Sequence, residues 1–208
     1  MKDLPALLDR LEAAAGPAGP VPSADGWELV PAESVAYLVD DRRRWQALAD
    51  LRRVVGLDPE QILVAPSAVL LRVVAGARPA ERVERLRRCA ELAIAGAPWR
   101  AYPGIGKPGQ DRIDLFTGSR AVLALDANGL RVLTRLGYAD PARSYDAGDR
   151  QAQTAAGERL SPEVPARQRA YQLLRRLGQT VCRRKDPACA SCAIAGDCPS
   201  AGHPPPLY

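Results

Sequence analysis

The chain has 208 residues, 47% of them hydrophobic, and 29 basic against 24 acidic side chains give it a net charge of +5 at neutral pH. That length and apolar content exclude a disordered tail and allow one core or two small ones. No apolar run is long enough to cross a bilayer, and the N-terminal MKDLPALLDRLE mixes acids into its apolar positions, unlike a secretory signal, so the chain reads as cytoplasmic with no membrane partner. All but three of the basic residues are arginine, and the positive balance permits a polyanionic partner without requiring one.

In chain order, helical periodicity dominates and strand-like alternation is nearly absent, which predicts an all-α fold. Leu4, Leu7, Leu8 and Leu11 recur at helical spacing behind Asp3, and Gly16 ends the run. The Pro- and Gly-rich GPAGPVPSADG that follows is a candidate domain boundary. Helices are expected over about 27–39, 41–55, a short stretch after Asp58-Pro59, 67–75 and 79–95. Cys89 shares a stripe with Leu86 and Ala93 and reads as a small buried hydrophobe. From 139 to 165 the helical signal fades, and it returns from about 163 to 180. Short helices joined by short loops suggest a compact bundle, with no internal repeat.

Three stretches carry chemistry. The first is PGIG at 103–106, which leads into a helix. A Gly-x-Gly turn there presents backbone N–H groups beside the positive end of the helix dipole, a seat for a phosphate. Gly104, Ile105 and Gly106 would supply the amides and Lys107 a charge; the alternative is an ordinary tight turn between helices. The second is Asp126, which follows AVLAL and precedes a helix carrying Leu130, Leu133 and Leu136. It reads as an N-cap, and a carboxylate held ionised there also suits the stabilisation of positive charge or the activation of a nucleophile. The third is CRRKDPACASCAIAGDC, where Cys182, Cys189, Cys192 and Cys198 are separated by six, two and five residues. A zinc site more usually brings its cysteines as two close pairs, whereas a four-iron cluster takes one thiolate per iron and accepts unequal spacings, so the pattern favours iron–sulfur over zinc. Arg183, Arg184 and Lys185 in this loop are candidates for contacting a polyanionic partner, or form a solvated basic face. The only histidine, His203, lies in the tail GHPPPLY, so Ser-His or Cys-His hydrolase chemistry is set aside.

The cysteine spacing, the PGIG turn and the segment LALDANGLRVLTR together resemble the endonuclease III superfamily of helix-hairpin-helix DNA glycosylases, from roughly Trp27 to Pro199. The resemblance implies a six-helix domain carrying the hairpin, placed at 22–131, and a discontinuous domain built from 1–21 and 132–208 that holds a 4Fe-4S cluster. It further implies a monomer that binds duplex DNA across a cleft, flips out a damaged nucleotide and uses the aspartate, here Asp126, in catalysis. Asn128, the following RVL, and LGQTVC ahead of the cysteines look more like the adenine-glycosylase branch than the pyrimidine branch.

Two departures from that pattern bear on function. Bifunctional members carry a lysine two residues after the last glycine of the hairpin, whose amine attacks the sugar carbon; here that residue is Pro108, 18 residues before Asp126. Proline suits the first turn of a helix but has no amine for a Schiff base. Lys107 is the candidate replacement, although on a helix it points about 100° away. Where the family carries a glutamine segment that fills the gap left by the flipped base, this chain reads SVAYLVDD, with Tyr37 or Leu38 as apolar wedges or as core residues. Three functions follow: a glycosylase that uses Asp126 and water with little strand nicking, a damage-binding relative without catalysis, and an iron–sulfur electron carrier, which leaves the hairpin and Asp126 idle.

Overall fold

A computed structural model describes residues 3–19, 22–37, 39, 41–141, 144–203 and 205. The chain forms two compact units, one of Pro22–Ile113 and one of Met1–Val21 with Asp114–Tyr208.

The contiguous unit contains helices α2 (Gly26–Ser34), α3 (Asp41–Val54), α4 (Pro59–Val64), α5 (Ser67–Val73) and α6 (Pro79–Ile94), and the first turns of α7 (Lys107–Thr117). Its core gathers Val35, Leu51, Ile62, Leu70, Val83 and Leu86, each nearly sealed from solvent. Asp25 and Asp58 start α2 and α4 by accepting the amides of Trp27 and Glu60. The helix expected over 27–39 ends at Ser34, because the Val35 carbonyl accepts the Ala75 amide at 2.9 Å and opens a short parallel bridge. In that bridge β1 (Ala36–Tyr37) pairs with β2 (Ala75–Gly76), Ala36 opposite Ala75. The same pairing stops α5 at Val73 rather than 75. Leu38 and the side chain of Tyr37, the candidate wedges, lie outside the described residues.

The discontinuous unit is built on α1 (Leu4–Ala15), α8 (Ala127–Arg135), α9 (Tyr145–Gly157) and α10 (Val164–Thr180), with the rest of α7. Leu4, Leu7, Leu8 and Leu11 are all buried at its centre with Leu130, Leu133, Leu173 and Leu174. Arg169 of α10 ties α1 down by pairing with Asp9 at 2.8 Å and with Glu12, and Arg176 Nη1 donates to the Pro17 carbonyl at 3.0 Å. Residues 114–131, assigned above to the hairpin domain, lie in this unit, since Leu123, Leu125 and Leu130 belong to its core. The faded stretch after 139 holds a full helix, α9, capped by the Ser144 hydroxyl accepting the Ala147 amide. Its buried face is Gly148, Asp149, Ala152, Ala156 and Gly157, too small and too polar to register as an apolar stripe.

Candidate functional site

The hairpin turn is built from its residues' backbone preferences. Ile105 N–H donates to the Tyr102 carbonyl at 3.2 Å across Pro103-Gly104, and Gly104 sits at φ 81°, the pattern of a type II turn with Pro then Gly at its centre. The helix ahead of the turn is reduced to one 3-10 turn, Trp99–Ala101, whose Trp99 ring meets Tyr102 edge-on at 5.2 Å. Ile105 itself is buried, and its carbonyl accepts Gln110 Nε2 at 3.1 Å. The Ile105 amide therefore closes the turn and is not offered to a ligand, which corrects its assignment as a phosphate donor. Among the described residues the amides of Gly104 and Gly106 have no protein acceptor. Cys89 lies fully buried under the turn, its thiol 3.7 Å from the Pro103 carbonyl, and burial pushes that thiol up to about 11.

Pro108 occupies the first turn of α7. Lys107, beside it, is half exposed, and its ammonium pairs with Asp111 one turn on, a carboxylate with 1% of its side chain in solvent. An ammonium has no lone pair for attack on a sugar carbon, and this one is held on a carboxylate. Asp111 had no signal in the sequence beyond its i,i+4 spacing from Lys107. Nearby, Arg112 grips Glu33 through both nitrogens of its fork, Nε to Oε1 at 2.9 Å.

Asp126 caps α8 with one oxygen and is engaged through the other. Oδ1 accepts the amides of Asn128 at 2.9 Å and Gly129 at 2.8 Å; Oδ2 accepts Asn128 Nδ2 at 3.0 Å and pairs with Arg175 Nε of α10 at 2.8 Å. Half-buried Arg131 extends this network: its Nη2 donates to Asn128 Oδ1 and its Nε to the Cys182 carbonyl, both at 2.8 Å. Close packing of α8 on α10 permits this, because Gly178 brings its α-carbon where any side chain would strike the Asn128 carbonyl. Arg131 begins the RVL noted in the sequence as a family likeness, without a role attached, and Arg175 belongs to no motif. Arg131 had a signal in its four-residue spacing from Arg135 on a strongly amphipathic helix; Arg175, one of an arginine pair distant in sequence from Asp126, had none.

The four cysteines of the loop line one cavity of about 30 Å³ with Arg135, Val181, Pro187 and Ala195. Two short 3-10 turns, Cys189–Ser191 and Ala195–Asp197, end at Cys192 and Cys198 and turn these thiols toward it. Among the described residues no three His, Cys, Asp or Glu side chains converge as a single bound ion requires. Burial raises the Cys192 and Cys198 thiols, with the neighbouring cysteines adding to it. Arg135 is 4% exposed, donates from Nη1 to Cys182 Sγ at 3.3 Å and to the Arg183 carbonyl at 2.7 Å, and leaves its buried Nε without a partner among the described residues. Arg183, Arg184 and Lys185 are exposed at the rim, and Arg183 Nη2 donates to the Asp186 carbonyl at 2.9 Å.

No protein-family model matches the chain, and no curated protein sequence matches it. Solved structures do. A trapped endonuclease III–DNA covalent intermediate in an estranged-adenine complex is 16% identical, with a TM-score of 0.76 over 95% of each chain. A non-covalent endonuclease III–DNA complex is 15% identical, with a TM-score of 0.77 over 97% of each chain. A thermostable thymine-DNA glycosylase is 18% identical, with a TM-score of 0.70 over 94% of this chain and 93% of that one. No helix among the described residues is long and apolar enough to cross a membrane. With ten α-helices and one two-residue bridge among the described residues, and alignment over nearly the whole of these chains, the chain has the all-α fold of endonuclease III.

Proposed function

We propose that the protein is a DNA N-glycosylase of the endonuclease III kind, acting as a monomer on duplex DNA and hydrolysing the bond between sugar and a damaged or mismatched base without cutting the strand. Two observations carry this reading: Asp126 stands at the start of α8, and proline, not lysine, stands at position 108 in the first turn of α7. The amides of Gly104 and Gly106 and the charge of Lys107 would hold a backbone phosphate, and Arg183, Arg184 and Lys185 would add sequence-independent contacts. As the bond from C1′ to the base breaks, the base leaves with the bonding pair and takes up a proton. Water adds to C1′, and Asp126 faces the developing positive charge and receives the water's proton. No lysine adduct forms in this route. Incubation with duplexes that each carry one altered base, followed by alkali or by no treatment, tests it: cleavage after alkali alone is expected, and no release of any base sinks the catalytic reading.

Cys182, Cys189, Cys192 and Cys198 are proposed to hold a 4Fe-4S cluster. Four thiols lining one cavity can supply one thiolate per iron, and their unequal spacing is unlike the two close pairs usual for zinc. A buried Arg135 facing sulfur, with no carboxylate among its described partners, suits an anionic occupant. Such a cluster would organise the loop that carries Arg183 to Lys185. Anaerobically purified protein should be yellow-brown with about four irons per chain; zinc in their place would overturn the assignment.

One observation favours a second reading, a damage-binding protein that does not excise: every lone-pair site of Asp126 is already filled. The same duplex panel separates the two.

A further inference from the structure

Of the four donors on Asp126, three are local. The amides of Asn128 and Gly129 and the side-chain amide of Asn128 come from the first turn of the helix that Asp126 caps. The fourth comes from another helix. Arg175 of α10 holds Oδ2 at 2.8 Å, with 23% of its own side chain and 16% of the Asp126 side chain open to solvent. An ionised carboxylate has about four lone-pair sites, so with Arg175 in place Asp126 has none for the proton of an attacking water. The guanidinium also sets a positive charge against the group that must face positive charge on the sugar.

The two backbone amides cannot leave Oδ1 without unwinding α8, whereas Arg175 comes from another helix and can leave Oδ2 without disturbing that start. Its side chain is long, jointed and partly in water, and its planar fork suits a phosphate as well as a carboxylate. The cap on Oδ1 stays whole when Oδ2 is released. We propose that Arg175 is a latch on Asp126: it pairs with the carboxylate in the free protein and passes to a backbone phosphate of bound duplex, so that DNA binding itself returns an oxygen of Asp126 to the reaction. Arg175 is thus a positioning residue that acts through Asp126, and the inference rests on the reading that the chain binds duplex DNA and excises a base with Asp126.

The test is the salt dependence of binding to an undamaged labelled duplex, measured on the full chain as wild type, Arg175→Ala, Arg175→Lys, Asp126→Asn and Asp126→Asn with Arg175→Ala. Each phosphate contact steepens the fall of log affinity with log salt by about one unit, so Arg175→Ala should lower the slope by about one and Arg175→Lys should restore it. Asparagine still caps a helix, so Asp126→Asn should remove the carboxylate that holds this guanidinium and tighten binding roughly threefold, the worth of a partly exposed ion pair. That gain should shrink when residue 175 is alanine. An unchanged slope in Arg175→Ala, or an equal gain from Asp126→Asn in both backgrounds, overturns the latch and leaves duplex binding and excision untouched. The expected cycle in a protein that releases no base supports the transfer and overturns the excision reading alone. Failure of the wild type to bind duplex overturns both.

Discussion

Helices α7 and α8 begin in opposite ways. Ahead of α7 a type II turn leaves the amides of Gly104 and Gly106 without an acceptor among the described residues, and Pro108 in the first turn brings no N–H of its own. At α8 a single carboxylate, Asp126, satisfies two amides and still holds an asparagine and an arginine. The first start is open to an anion. The second already has one and surrounds it with donors. A helix N-terminus is therefore neither a binding site nor a structural cap by its position alone: what decides is whether the chain supplies its own anion.

The comparison breaks most sharply at Asp126. Asp126→Asn keeps a capping oxygen and removes the charge, so it should lower base excision by roughly 10²–10⁴-fold while thermal unfolding is retained and duplex binding tightens modestly. Excision at an unaltered rate in single-turnover assays would show that the anion of α8 serves the fold and nothing more.

Gly178→Ala attacks the same helix start through packing. An added methyl would lie 2.7 Å from the Asn128 carbonyl oxygen and 2.9 Å from its carbon, and backbone cannot swing aside as a side chain does. α8 and α10 must part, at a cost of about 1–3 kcal/mol, seen as a lower urea midpoint with the slope retained. Asn128 and Arg175 would shift off Asp126 together. A variant as stable as the wild type would mean that the two helices are packed less closely than described.

At the open start, Gly104→Ala places a side chain at φ 81°, a left-handed conformation that costs roughly 1–2 kcal/mol. The space itself is ordinary, with Arg85 3.4 Å away. Loss of stability together with weaker duplex binding is expected, because the turn sets the direction of both free amides. Stability lost with binding fully retained would remove the turn from the interface.

Much of this was legible in the sequence, and what was not has physical reasons. Leu4, Leu7, Leu8 and Leu11 announced their helix because a buried face of leucines repeats at 3.6 residues. The buried face of α9, made of Gly148, Ala152, Ala156 and Gly157, lets helices approach closely but carries too little apolar surface to stand out. The Ala36–Ala75 bridge and the Asp126–Arg175 pair join residues tens of positions apart, and no local pattern reports such a contact. Asp126 was legible as a cap from the apolar runs on either side. That its second oxygen was also taken depended on which residue α10 turned toward it.

Pro108 offers the smallest change in stability and the plainest change in chemistry. Replacing a proline whose conformation suits the native backbone costs about 0.5 kcal/mol through the freer unfolded chain, so Pro108→Lys should fold as the wild type does. The wild type should leave abasic sites intact until alkali is added, and borohydride should trap no covalent protein–DNA complex, since the amine of Lys107 is held by Asp111. In Pro108→Lys an amine stands in the first turn of α7, at the position where the resembled family carries its nucleophile. Attack of that amine on C1′ of an abasic sugar, with loss of the C1′ oxygen as water, gives a Schiff base that borohydride reduces, and elimination of the 3′ phosphate from it cuts the strand. Trapped adducts and nicking without alkali are therefore expected in the variant alone. Adducts formed by the wild type and lost in Lys107→Ala would show instead that Lys107 leaves Asp111 when DNA binds, and that the start of α7 carries a nucleophile after all.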